Sequence, residues 1–277
     1  SDGENSQVIR KDETLSELAT KTFTISESEL TDVAFVKEVS IAPVSGTEGK
    51  EKVGNVVDKK EFTTKQILEN LGAVSWWKLD GDAKDAIGNN DGTLEGGATF
   101  TDGKFGKAGS FRLLADKIRV SNFNSVGPTT EETILFWVKL DSEIDSGCGD
   151  NIITLDPFSS PGGNDRRNVH FFCGGRIYWQ YGLSGGNLQS SYYNPDINND
   201  LIGKWNHFAF VSSVSKGYTK IYNNAEEKVG GTAGTHSSQY GADLIIGQID
   251  GQLDEVMIFN KALTDEQVKA LYELNLS

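Results

Sequence analysis

Short apolar runs recur along the chain from Ala73 onward: AVSWWKL, GSFRL, KIRVS, TILFWVKL, NIITL, VHFF, RIYWQYGL, NHFAFVSSV, TKIYN, ADLIIG and DEVMIF. Between them stand Gly, Asn, Asp and Pro in combinations that reverse the chain. Runs this short, rich in β-branched and aromatic residues, predict antiparallel strands, and their spacing predicts two sheets packed face to face. The pattern changes at the end. In KALTDEQVKALYEL, Thr264 and Gln267 have the spacing of a capping box, and Val268, Leu271 and Tyr272 fall on one helical face. A short terminal helix lying on the sandwich is the expectation.

The first part of the chain reads differently. Residues 1–70 hold no Trp or Tyr, three Phe and four of the 31 glycines, so the bulk of a sandwich core lies after them. This gives two regions, an extension over 1–70 and a sandwich domain over 71–277. Ser1 to Leu18 is polar, KTFTISESEL and VAFVKEVSIAPV have strand-like patterns, and KQILENL suggests a short helical link. Two or three strands without aromatic bulk cannot hold a core of their own. They are expected to be completed by adding to a sandwich edge, in the same molecule or in a neighbouring one. The short link to Gly72 favours the same molecule, and self-association through this arm is the other outcome.

Composition narrows the partners. With 26 Lys plus Arg against 40 Asp plus Glu, the net charge of −14 repels nucleic acid and anionic membrane surfaces. No run of about 18 apolar residues is present, so no membrane-spanning helix is expected. The chain starts without Met and without a signal-like segment, and it reads as a mature or excised piece whose targeting or anchoring sequence lies elsewhere. The two cysteines, Cys148 and Cys173, flank the turn-forming run PGGND. If NIITLDPF and NVHFFCGG close a hairpin near that point, the thiols stand opposite one another and can form a disulfide, which places the protein outside the reducing cytosol. A free buried pair of thiols is the alternative.

The order of the segments from Ala73 to Leu274 resembles the laminin-G-like modules of the concanavalin A-like jelly-roll type. AVSWWKLDGDAKDAIGNNDGTLEGG is similar to the opening of that family, an aromatic strand leading into an Asp-rich turn and a DGTL step. FTDGKFGKAGSF, TILFWVKLD, GKWNHFAFV and LIIGQIDGQLDEVMIFNKALTDEQVKALY are similar to the segments that follow. TKIYNNAEEK departs from the family's usual Tyr-Val-Asp-Gly hairpin, but Asn tolerates the positive φ such a turn needs. The resemblance implies an all-β, two-sheet antiparallel jelly-roll with a C-terminal helix, used for binding.

Candidate chemistry was sought in the same segments. The turn DAIGNND gathers Asp85, Asn89, Asn90 and Asp91, whose oxygens suit a structural calcium ion. The resemblance places this turn beside the LDEV strand and implies Asp85 and Asp254 as carboxylate ligands, with Asn90 completing the shell. An Asx-rich turn that bonds its own backbone is the alternative. For a ligand, Tyr178, Trp179, Tyr181, Tyr192 and Tyr193 lie close together with Gln180, Asn187 and Gln189, a mixture that suits stacking and hydrogen bonding to sugars. Strand alternation separates Tyr178 and Gln180 from Trp179 and Tyr181, so one of these pairs belongs to the core. Trp77, Trp137 and Trp205 are assigned to the sandwich interior, and His207 to the core or a layer behind it.

The residues of a glycosidase or lyase site are not arrayed in the sequence. Alternation points Asp254 and Glu255 to opposite faces, no E-x-D-x-x-E array of a retaining glycosidase is present, and His170, His207 and His236 are scattered. The expected function is a non-catalytic extracellular binding or adhesion module whose partner is a glycan or a cell-surface protein. The second reading is a structural subunit of a cell-surface assembly.

Overall fold

The computed structural model describes residues 38–41, 44–45, 52–53, 58–112, 115–123, 131–142, 150–156, 167–172, 176–182, 188–234, 242–274 and 276. The chain divides into two units, Ser1–Phe62 and Thr63–Ser277. In the first, strand β1 (Glu38–Ile41) pairs with β4 (Asp58–Glu61), and β2 (Val44–Ser45) with β3 (Lys52–Val53), both antiparallel. The described strands of the arm therefore take partners inside their own unit, as one ladder nested in another, where the sequence suggested addition to a sandwich edge. KTFTISESEL lies outside the described residues.

The second unit opens with helix α1 (Thr64–Asn70), capped by Thr63 and Gln66, which buries Ile67 and Leu68. One antiparallel sheet then runs in the order β17 (Glu226–Gly231), β16 (Tyr218–Asn223), β15 (Asn206–Ser213), β10 (Glu131–Leu140), β19 (Gly251–Phe259), β8 (Lys107–Phe111), β7 (Thr99–Asp102), with β5 (Ala73–Trp77) also on β19. The other runs β14 (Leu188–Tyr193), β13 (Arg176–Gly182), β12 (Arg167–Phe172), β11 (Asp150–Asp156), β18 (Ala242–Gly247), β9 (Lys117–Phe123), β6 (Thr93–Glu95). This is a jelly-roll sandwich, and its core is where the alternation of the two sheets meets: Trp77, Phe136 and Phe210 from the first pack with Val120, Ile177 and Trp179 among others. The turn after β16 places both Asn224 and Ala225 at positive φ, 50° and 65°, so an alanine shares the left-handed conformation expected of the asparagine.

The near-continuous apolar run of β10 reflects burial on both faces. Ile134, Phe136 and Val138 enter the core, while Thr133 and Trp137 face outward beneath helix α2 (Asp265–Glu273). Thr264 and Gln267 form the expected capping box of α2. Tyr272 stacks on Trp137 with centroids 5.5 Å apart, and His207 lies 5.2 Å from the same ring. Trp137 is thus buried behind the sheet and not between the sheets. His207 occupies that second layer too, where burial pushes its pKa down to about 3 and keeps it neutral.

Strand β19 departs most from simple alternation. β10 flanks one side throughout, but the other side is shared end to end by β8, opposite Gly251–Leu253, and β5, opposite Val256–Phe259. At the changeover the register with β10 slips: Leu135 faces Met257 and Trp137 faces Asp254, leaving two residues opposite Phe136. Glu255 takes φ 52° in this bulge. Leu253, Val256 and Ile258 all belong to the core, so the bulge turns both Asp254 and Glu255 away from it. The two carboxylates do not point to opposite faces, because the extra residue cancels the alternation.

Candidate functional site

A cleft of about 310 Å³ opens at one end of the sandwich, near the lower limit of the roughly 300–1,000 Å³ usual for small-molecule sites. Tyr193 at the end of β14 and Trp205 just before β15 supply its aromatic walls, and both are half-buried. Between them the chain makes one π-helical turn, Ile197–Leu201, which brings Asn199 and Asp200 to the rim. Asparagines build the floor. Asn206 donates to the carbonyls of Asp200 (2.7 Å) and Lys204 (3.2 Å), while its Oδ1 accepts from Asn223 (3.2 Å) and Asn224 (3.0 Å). This lattice ties β15, β16 and the rim together and fixes the amides before any ligand arrives.

The charges of the lining residues are paired within the cleft, and one further cation, Lys139, lies 5.4 Å over the Trp205 ring. Lys228 is paired with Glu226 at 2.6 Å, and Lys204 bonds the carbonyl of Asn199 with Asp200 nearby. Burial raises the pKa of Tyr193, with Lys228 lowering it and Asp200 and Glu226 raising it, so its hydroxyl keeps its proton and can both donate and accept. A rigid set of amides, a hydroxyl and two aromatic walls suits an uncharged polyhydroxylated ligand better than an ion.

The aromatic group read from the sequence is divided by strand direction. Trp179 is fully buried and packs edge-on against Phe210 at 6.0 Å, so it is a core residue and no ligand contact. Tyr178 and Tyr192 pair across β13 and β14 on the outer face, with ring centroids 5.2 Å apart. Among the described side chains of the group, Tyr193 alone lines the cleft. The side chain of Tyr181 and all of Asn187 lie outside the described residues, as do Cys148 and Cys173, although β11 and β12 form the expected hairpin with Asp150 opposite Phe171. Trp205, assigned to the interior, stands half-buried at the cleft instead.

The calcium expectation was tested on the donors around its carboxylates. Asp85 Oδ1 accepts from the backbone N–H of Trp76 and Ile87, both 3.0 Å away, and Oδ2 from the N–H and the side-chain amide of Asn90, both 3.2 Å away. Burial would raise the Asp85 pKa, but the N–H donors of Trp76, Gly88 and Ile87 and the Ser75 hydroxyl outweigh it and hold it below the ordinary range. The Asn90 carbonyl accepts from the Trp77 indole. Asp254 is bound elsewhere, accepting through Oδ2 from the N–H groups of Lys104 (2.8 Å) and Phe105 (3.0 Å). Calcium takes six to eight oxygens, and in this structure the carboxylate oxygens of Asp85 and Oδ2 of Asp254 are engaged by N–H donors. Asp85 and Asp254 are thus each held by N–H donors of a different turn, and among the described residues no three His, Cys, Asp or Glu side chains group to hold a metal. Asp85 is a clamp that closes its own turn onto β5. Asp85→Ala is expected to cost about 2–4 kcal/mol, because it strands buried N–H groups, and calorimetry should give the same loss with calcium or with chelator. A calcium-dependent gain in wild type that vanishes in the variant would restore the metal.

The bulge on β19 holds a feature the sequence did not signal. Asp254 and Glu255 are both fully buried, Trp76 Nε1 donates to one oxygen of Glu255, and the second oxygen of each carboxyl has no hydrogen-bond partner. Burial pushes Asp254 up to about 7 and Glu255 up to about 8, each carboxylate being further disfavoured by neighbouring negative charge.

A family model described as the concanavalin A-like lectin/glucanases superfamily matches residues 114–269. No curated protein matches the chain. Among solved structures, domain 4 of AbnA, a GH43 extracellular arabinanase from Geobacillus stearothermophilus, in complex with arabinotriose, is similar with a TM-score of 0.55 at 23% identity, over 73% of this chain and 99% of that one. The botulinum neurotoxin serotype D binding domain aligns with a TM-score of 0.58 at 18% identity, over 74% of this chain and 52% of that one. The type G receptor binding domain gives 0.56 at 17%, over 73% and 51%. The chain thus spans about half the length of these toxin domains, and the likenesses are likenesses of fold.

Proposed function

Because the chain belongs to the concanavalin A-like lectin/glucanases superfamily, we propose that it is a non-catalytic carbohydrate-binding module whose cleft between Tyr193 and Trp205 receives an uncharged sugar. The observation that carries this reading is the cleft itself. Aromatic walls accept the apolar faces of a sugar ring, and amides held in place by their own hydrogen bonds answer its hydroxyls without reorganising. The AbnA domain bound to arabinotriose is a likeness of fold in which a saccharide is the ligand. The non-catalytic part rests on the acid pair: Asp254 and Glu255 are adjacent and fully buried, so no glycosidic bond can reach them. An extracellular setting is part of the proposal, supported by the spacing of Cys148 and Cys173 about a hairpin.

Titration with neutral oligosaccharides, arabinotriose among them, tests the cleft. Trp205→Ala and Tyr193→Ala are each expected to weaken a binding sugar by about 2 kcal/mol, roughly thirtyfold in Kd, with folding retained. Unchanged affinity in both variants would move the site elsewhere.

A further inference from the structure

Beside the cleft, β14 carries a second surface. Tyr192 and Tyr193 are consecutive, so they project to opposite faces of an edge strand: Tyr193 into the cleft, Tyr192 onto the outer face of its sheet. Tyr192 is 48% exposed and is the one large apolar side chain so exposed among the described residues. Tyr178, directly opposite on β13, extends the surface into a two-ring platform tilted by 31°. Arg176 completes it. Its guanidinium lies 5.1 Å from the centre of the Tyr192 ring, and the Tyr178 hydroxyl, ahead of charge effects from the two tyrosines, raises its pKa.

The surroundings of this arginine differ from those of Arg119 and Lys220. Arg119 on the same sheet is held by Glu95 and Asp243, both at 2.7 Å, and Lys220 by Glu227 and Asp265. Among the described residues no carboxylate pairs with Arg176, although the chain carries a net charge of −14. A guanidinium over a tyrosine ring, with five N–H donors of which Tyr178 engages part, has donors left that match the two oxygens of a carboxylate or sulfate. The rings beneath it match the apolar face of a pyranose.

We propose that Arg176, Tyr178 and Tyr192 form a second saccharide site, selective for a sugar unit bearing a carboxylate or sulfate. The class of ligand rests on the carbohydrate reading of the family, but the site does not need the cleft. Its location explains why the molecule would have two subsites of different character. The cleft, walled by aromatic rings and floored by amides, takes an uncharged unit, and the platform, on the other side of a single strand, takes an anionic one.

Calorimetric titration of the full chain with oligogalacturonate, sulfated galactose oligomers and neutral galactose oligomers tests the proposal, at low and at physiological salt. Wild type is expected to bind at least one of the two anionic probes, and to bind it more weakly as salt rises. Arg176→Gln and Tyr192→Ala should each weaken that binding at least tenfold, Arg176→Lys should retain part of it, and Trp205→Ala should leave it unchanged. The two anionic probes separate carboxylate from sulfate recognition. No anionic binding by wild type, or equal binding by Arg176→Gln, overturns the site. So does joint loss of anionic and neutral probes in platform and cleft variants alike, which would mean one shared site. A change confined to sedimentation behaviour in the platform variants would make the face a protein contact and likewise overturn the proposal. Failure of the cleft reading looks different: neutral probes do not bind, or Trp205→Ala does not affect them, while the anionic results stand.

Discussion

Stability is expected to fall by roughly 3 kcal/mol between pH 6.5 and pH 9, or about 6–12 °C in melting temperature for a unit of this size. The cause is the carboxyl pair on the β19 bulge. Asp254, raised to about 7, and Glu255, raised to about 8, hold their protons in the folded protein at pH values where the unfolded chain has released them. A raised acid pKa means that the native state binds more protons, so stability is lost as pH climbs through the folded values. Below this window the pair still loses stability with rising pH, down to the ordinary carboxyl values of about 4, and other groups oppose it. His207, lowered to about 3, must stay neutral in the fold, and the depressed Asp85, Glu95 and Asp265 favour the fold when ionised. Stability therefore peaks between about pH 4 and 5, where the unfolded carboxyls titrate. Glu255→Gln should remove most of the alkaline decline and Asp254→Asn the remainder, since each amide keeps the acceptor oxygen that Trp76, or Lys104 and Phe105, requires. Urea unfolding at pH 6.5 and 9 checks this. Equal stability of wild type at the two pH values would show that the pair is already ionised in the fold.

Trp179→Ala is expected to destabilise the second unit by about 3–5 kcal/mol while leaving sugar affinity unchanged at temperatures where the variant is folded. The indole is fully enclosed between the sheets against Phe210, and no neighbouring chain segment can fill the space of a tryptophan. Tyr192→Ala, one strand away and facing solvent, should change stability little. Chemical denaturation paired with titration separates the roles of these two aromatics. A Trp179→Ala protein as stable as wild type but unable to bind would return that residue to the ligand surface.

The sandwich was legible because burial alternates with the strands, and the residues that repeat this alternation, such as Ile134, Phe136 and Val138, are the ones that enter the core. The helix α2 was legible down to its cap, since Thr264 and Gln267 make contacts local in sequence. What the sequence concealed has two physical origins. β6, β7 and β17 are short and half-exposed, so Thr93-Leu94-Glu95 or Glu226-Glu227-Lys228 offers no apolar run to find. The cleft and the bulge are non-local. Tyr193, Trp205, Asn223 and Lys228 come together only once three strands and a π turn are in register, and nothing in Leu253-Asp254-Glu255-Val256 announces that β5 replaces β8 as partner there. The bulge defeats the alternation rule because a glutamate, and not a glycine, takes the positive φ. The arginine over Tyr192 was likewise hidden, two residues before a tyrosine in one strand and across the ladder from another.

The pairing of β5 with β19 reaches beyond the site. The Asn260 N–H donates to the Gly72 carbonyl at 3.0 Å, so the backbone leading into the sandwich and the backbone leaving it lie side by side. A fold closed in this way behaves like a bead on a string with both knots on the same side. It can be spliced into the loop of a host protein without prising that loop apart, and copies can be strung one after another without long spacers.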